Sequence, residues 1–141
     1  MGIEYFIIGM DSNDAASKEE VLEIFSPYWT EKEENHYFLD YGKETYNGYI
    51  VHSGCHFDIR LYKDSSLVSS VTIYKPCGDI RMEKAVFQLI HEFPMFVTYP
   101  SDPPMIITAN EQCAKLFKAE NPEFSEDIKL VLSFMQYYDL C

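Results

Sequence analysis

Apolar positions along this chain fall into two spacings, one of period two and one of period 3.6. Ile3 to Gly9 is a short, β-prone apolar run followed by polar residues from Asp11 to Ala16, which predicts a strand and then a loop. In Ser17-Lys18-Glu19-Glu20, Ser17 takes the N-cap and Glu20 the N3 position of a capping box, so a helix begins there. At about 100° per residue, Val21, Leu22, Ile24 and Phe25 share one face of it and Glu19, Glu20 and Glu23 the other. Pro27 limits its continuation, and Glu31, Glu33 and Glu34 follow in a predicted loop.

The period-two pattern dominates the middle. Tyr37-Phe38-Leu39 and Tyr49-Ile50-Val51 flank Asn47-Gly48, whose residues accept the positive φ angles of a type I′ turn, so Tyr46 and Tyr49 should face each other across a hairpin. Phe57, Ile59 and Leu61 alternate with Asp58, Arg60 and Tyr62, and the run Leu67 to Tyr74 returns after Asp64-Ser65-Ser66. Four antiparallel strands in series are expected here.

Pro76-Cys77-Gly78 breaks that pattern. Asp79 caps a predicted helix with Met82, Ala85, Val86, Leu89, Ile90 and Phe93 on its buried face and His91 on its polar face beside Lys84 and Gln88. Met95 to Tyr99 and Met105 to Thr108 read as short strands around a Ser-Asp-Pro-Pro turn, and a short helix follows from Asn110. A last helix is predicted from Ser125 to about Asp139, apolar nearly all round except for a strip of Lys129, Ser133 and Gln136. Such a helix should be wedged inside the fold or form a homo-oligomer contact. The expected architecture is one α+β domain over residues 1–141, an antiparallel sheet of about five to seven strands with helices packed mainly on one face.

Composition narrows the functional classes. Twenty-three acidic residues against eleven basic ones give a formal net charge of −12. Residues 1–47 hold eleven Asp/Glu against three Lys, a balance of −8. Such a field repels nucleic acid and anionic membranes and attracts basic partners. No stretch approaches the twenty or so apolar residues of a membrane span, the start lacks a basic n-region, and both lipidation motifs fail; a cytoplasmic protein is expected. Cys55, Cys77, Cys113 and Cys141 are widely spaced with no CxxC, so reduced, structural thiols are expected and no disulfide framework.

Two groupings could carry chemistry. His52, Cys55 and His56 form the densest set of metal-ligand types, with His36 or Cys77 as a possible fourth donor. The pleat argues against them, since a strand through Cys55 turns it to the apolar face of Phe57 and Ile59 while His56 joins Asp58 and Arg60. Cys77 is the best nucleophile, because a thiol just before a helix start feels its positive end, although Asp79 opposes that. Walker A, GxGxxG, GxSxG, HExxH, HxE and PCxxC signatures do not occur. No cofactor and no catalysis are therefore expected, a cysteine- or metal-dependent enzyme being the rival reading and a homo-oligomeric adaptor built on the last helix a third.

The acidic stripe is more informative. Glu19 and Glu23 are like charges one turn apart with no basic residue spaced to offset them. With Glu20, Glu31, Glu33, Glu34, Asp40 and Glu44 they place eight carboxylates in 26 positions, interleaved with Trp29, Tyr46 and other aromatics that supply anchors. In size, acidity, aromatic content and lack of catalytic motifs the chain resembles the small bacterial immunity proteins that block a cognate toxin, often a nuclease. That resemblance implies a non-catalytic protein that neutralises a basic partner, its carboxylates standing in for the phosphates of a basic toxin cleft.

Overall fold

The structure is a computed structural model that describes residues 4–101 and 104–140. In chain order its elements are β1 (Glu4–Gly9), α1 (Lys18–Phe25), β2 (Trp29–Glu33), β3 (His36–Tyr46), β4 (Tyr49–Leu61), β5 (Val68–Tyr74), α2 (Ile80–Glu92), β6 (Met95–Tyr99), β7 (Met105–Thr108), α3 (Glu111–Glu120), a 3-10 turn (Pro122–Phe124), β8 (Ile128–Leu130) and α4 (Phe134–Leu140). The strands form one sheet in the order β2-β3-β4-β5-β1-β6-β7-β8. Every neighbouring pair is antiparallel except β7 and β8, which run parallel. The class is α+β, with eight strands where the sequence pattern suggested five to seven.

Local signals act as their chemistry requires. The Glu20 amide donates to Ser17 Oγ at 3.1 Å and the Ser17 amide donates to Glu20 Oε1 at 3.0 Å, completing the capping box. Replacing Ser17 with Ala is expected to cost about 1 kcal/mol, read as a lower urea midpoint at unchanged slope. Asn47 and Gly48 take φ of 50° and 80°, and Tyr46 stands opposite Tyr49. Asp79 and Asn110 cap α2 and α3 through their side chains.

Three element assignments need correction. The acidic residues after Pro27 are not a loop: Trp29–Glu33 is a strand, because β3 offers a backbone edge that pairs Trp29 with Leu39 and Glu31 with Tyr37. The segments around Ile50 and Ile59 are one strand of 13 residues, continuous through Gly54, so the expected four-strand series contains three strands. Gly54 keeps the strand intact by lacking a side chain, since a Cβ there would lie 2.8 Å from Phe38 Cζ and 3.0 Å from the Leu39 carbonyl oxygen.

The third correction is the last helix. Residues 125–127 form a turn, Ile128–Leu130 pairs with β7, and only Phe134–Leu140 is helical. Its apolar surface is not enclosed, for Leu132 is 74 % and Met135 63 % exposed, while Val131 and Tyr137 are buried. Ile3, Cys141 and the middle of the Ser-Asp-Pro-Pro turn lie outside the described residues.

The sheet carries a core on each face. Ile7, Tyr37, Leu39, Phe57, Ile59, Val71, Ile73, Val97 and Ile107 pack against α1, α2 and Tyr137 of α4. At its centre the Phe57 ring stacks on Phe25 at 4.7 Å and on Tyr37 at 5.0 Å between centroids. The alternate residues Phe96, Ile106 and Ile128 pack with Ile8, Cys113 and Phe117 under α3. The helices are therefore not confined to one face: α3 covers the opposite side of the β6–β8 end. That leaves the second face open over β3, β4, β5 and β1. Among the described residues no helix is long and apolar enough to cross a membrane.

Candidate functional site

The acidic residues gather at the other end of the sheet. The amphipathic pattern of α1 buries Val21 and Phe25 and leaves Glu19, Glu20 and Glu23 exposed. The next strand is pinned to this helix by the Trp29 indole N–H, which donates to the Leu22 carbonyl at 2.9 Å. Trp29 is half-buried and its ring meets Tyr37 edge-on, so its contacts are internal. Among the described residues β2 pairs only with β3 and forms an edge of the sheet. Glu31 and Glu33 on that strand and Glu34 in the following turn are exposed.

Electrostatic compensation at this edge is thin. Lys18, whose Nζ lies over the Tyr37 ring at 5.9 Å from its centroid, has its pKa raised, first by its interaction with Tyr37 and then by the charges of Glu31 and Glu34. Lys32 lies over the Phe38 ring, 6.0 Å from its centroid. Charged or histidine side chains meet carboxylates, among the described residues, at His36–Asp58, His52–Asp40 and Arg81–Asp79, of which the last is an ion pair whatever the state of the imidazoles. None involves Glu19, Glu20, Glu23, Glu31, Glu33, Glu34 or Glu44. Asp40 belongs to a different setting: it accepts from His52 Nε2 at 2.8 Å and from the Gly42 amide at 2.9 Å, and these contacts lower its pKa, the His52 bond most.

Beyond Asp40 the β3–β4 hairpin projects past its neighbours. β2 reaches along β3 only to Leu39, and β5 reaches along β4 only to His56, so residues 40–54 form a ribbon with no flanking strand among the described residues. Glu44 and Tyr46 lie here. Tyr46, Tyr49 and Ile50 are 70 %, 75 % and 75 % exposed, an uncommon display of large side chains on a β-arm. The expected interface residues thus separate into an acidic edge (Glu19, Glu20, Glu23, Glu31, Glu33 and Glu34), a ribbon tip (Glu44 and Tyr46), and two residues, Trp29 and Asp40, engaged within the molecule.

The open sheet face holds a constellation that sequence reasoning missed. A recess of about 810 Å³ is lined by Phe6, Ile8, His36, Asp58, Arg60 and Tyr74 among others, with Glu33 and Glu34 at its rim. Tyr74 donates its hydroxyl to Asp58 Oδ2 at 2.7 Å, Asp58 Oδ1 meets His36 Nδ1, and His36 Nε2 lies 3.2 Å from His56 Nδ1. The two imidazoles stack at 5.1 Å. Such a chain of hydrogen bonds orients both rings and can hold or pass a proton. Alternation placed His56, Asp58 and Arg60 together on this face, but the pairing of His36 with Asp58 depends on the β3–β4 register.

Cys55 points the other way, into the helix-covered core beside Phe57, as the pleat requires. The His52, Cys55 and His56 grouping therefore does not assemble: His52 turns to Asp40, His56 to His36 and Cys55 to Cys77. Among the described residues no three His, Cys, Asp or Glu side chains are arranged to hold a metal ion. His91 is exposed on α2, stacked on Phe87, as its position on the polar face implied. No protein-family model, curated protein or solved structure matches the chain.

Proposed function

We propose that this chain is a non-catalytic binding protein that engages a basic protein partner, acting as an immunity protein that neutralises a cognate toxin. The observation that carries the reading is the α1–β2 edge, where six exposed glutamates, without an ion-pair partner among the described residues, adjoin the outer edge of an edge strand. Like charges with little compensation on adjacent elements cost folding energy, and a cationic partner returns that cost on binding. Carboxylates spaced along a strand and a helix face can occupy the cationic cleft that would otherwise hold phosphates. The field sets the association rate, while Tyr46 and Tyr49 on the ribbon supply rigid aromatic anchors that slow release.

The test uses the product of the reading frame adjacent to this gene where that product carries a basic toxin domain. Reversing Glu19, Glu23, Glu33 and Glu34 to Lys is expected to slow association by about tenfold or more at low salt and to flatten its salt dependence. The same reversal at Glu111, Glu120, Glu123 and Glu126, all exposed, controls for net charge. Equal loss in both sets would leave only the global field, and no loss in either would remove the basis of the reading.

The Tyr74–Asp58–His36–His56 chain favours one rival, an acid–base enzyme working in the recess. Turnover abolished by His56→Ala with partner binding intact would establish it.

A further inference from the structure

The β5–α2 connection is shaped so that it turns back over the core. Lys75 and Gly78 both take left-handed backbone angles, with φ of 48° and 75°, and Cys77 lies between them. This double turn sets the Cys77 sulfur 3.9 Å from that of Cys55, which projects from the middle of β4. The two residues are 22 positions apart in sequence, come from different elements, and differ in access: Cys55 is buried and Cys77 is half-exposed. Met82 Sδ, from α2, lies 3.8 Å from the Cys55 sulfur. Cys113, a residue of α3, sits apart from this pair, buried in the second core.

We propose that Cys55 and Cys77 form an oxidisable dithiol, a modification site at which a hydroperoxide attacks Cys77 and Cys55 resolves the product to an intrachain disulfide. Access decides the order, since only Cys77 opens toward solvent. Its surroundings agree. The Cys55 thiol donates a hydrogen bond toward Cys77 and the Asp79 amide helps to stabilise the anion, drawing the Cys77 thiol down to about 7 against the opposing effects of burial and of the Asp79 carboxylate. Arg81 engages that carboxylate at 2.8 Å and limits its opposition. Cys55 shifts the opposite way, held protonated by that same hydrogen bond and by burial, with the charge of Cys77 adding to both. Tyr41 also interacts with both sulfurs, and burial pushes its own pKa up, so it stays neutral while Cys77 titrates.

The chemistry closes without a further reactant. The Cys77 thiolate attacks one peroxide oxygen, the S–O bond forms as the O–O bond breaks, and the departing hydroxide takes a proton to become water. The Cys55 sulfur then attacks the Cys77 sulfenic acid; the S–S bond forms, the S–O bond breaks, and the Cys55 proton leaves with the hydroxide as a second water. Two electrons pass from the dithiol to the peroxide. The sulfurs, 3.9 Å apart, must close by about 2 Å to reach bonding distance.

The experiment exposes the full chain to one equivalent of hydrogen peroxide, blocks remaining thiols by alkylation, and maps peptides by mass. The expected product joins the Cys55 and Cys77 peptides with loss of two hydrogens, is reversed by dithiothreitol, and leaves Cys113 alkylated. Cys77→Ser should slow peroxide consumption by about tenfold or more, and Cys55→Ser should halt the reaction at a sulfenic acid on Cys77 that dimedone captures. Oxidation of Cys113 or Cys141 at the same rate, or irreversible oxidation of Cys77 with no crosslink, would overturn the assignment. Should either serine variant fail to fold, the pH profile of iodoacetamide labelling in the unaltered chain decides: Cys77 labelled well ahead of Cys55 supports the pair, and equal or reversed order rejects it.

Discussion

Removing residues 125–141 is expected to leave a chain that does not fold, giving a collapsed far-ultraviolet spectrum and rapid proteolysis. The reason is not the enclosed helix that the apolar pattern suggested. β8 closes the β7 end of the sheet, where Ile106, Ile107 and Thr108 pair with Ile128, Lys129 and Leu130. Ile128 completes the core under α3, and Val131 and Tyr137 enter the larger one. Burying each such side chain contributes about 1.5–3 kcal/mol, so losing three is comparable with a typical total stability of about 5–15 kcal/mol. The deletion also strips Glu83, buried on α2, of the hydroxyl that Tyr137 donates to its Oε2 at 2.8 Å. Tyr137→Phe isolates that part of the effect and is expected to cost about 1–3 kcal/mol in a urea titration. A soluble truncation that melts like the full chain would show that the segment is dispensable.

Phe57→Ala should approach the same severity from the middle of the sheet. Its ring is fully buried and stacked on Phe25 from α1 and on Tyr37 from β3, so it joins a helix to two adjacent strands. Truncation opens a cavity that these rings cannot fill without leaving their rotamers, at a cost of about 3–5 kcal/mol. The urea midpoint should fall sharply and the melting temperature by many degrees. Phe57→Leu keeps much of the volume and should recover a large share of the loss; equal damage from both substitutions would mean that ring stacking matters more than volume. A midpoint unchanged in Phe57→Ala would place the core elsewhere.

The misread segments share a cause. Ile128, Val131, Phe134 and Tyr137 recur at helical spacing, yet the first of them belongs to a strand, because β7 presents an unpaired edge and the Val131 amide donates to the Thr108 carbonyl at 2.9 Å. Trp29–Glu33 carries three charges and shows no apolar alternation, yet pairing with β3 makes it extended. In both cases a distant strand supplied hydrogen bonds that no local window contains. The acidic edge was legible as charge and helix face, since α1 is amphipathic by itself. Its division into edge, ribbon and internally engaged residues was not, because Trp29 and Asp40 are claimed by Leu22 and His52 through the fold.

The sequence by itself determined the features whose interactions close within a few residues: the Ser17 capping box, the caps at Asp79 and Asn110, the Asn47-Gly48 turn, and the alternation that sends Cys55 inward and His56 outward. These depend on backbone dihedrals and neighbouring hydrogen bonds, which residue type controls directly. Tertiary structure alone decided that β1 inserts between β5 and β6, that α3 crosses to the second face, that His36 meets Asp58, and that Cys77 reaches Cys55. Each of these joins residues far apart in the chain, where loop closure costs entropy that only the assembled core repays, so their register follows from global packing and from no local preference.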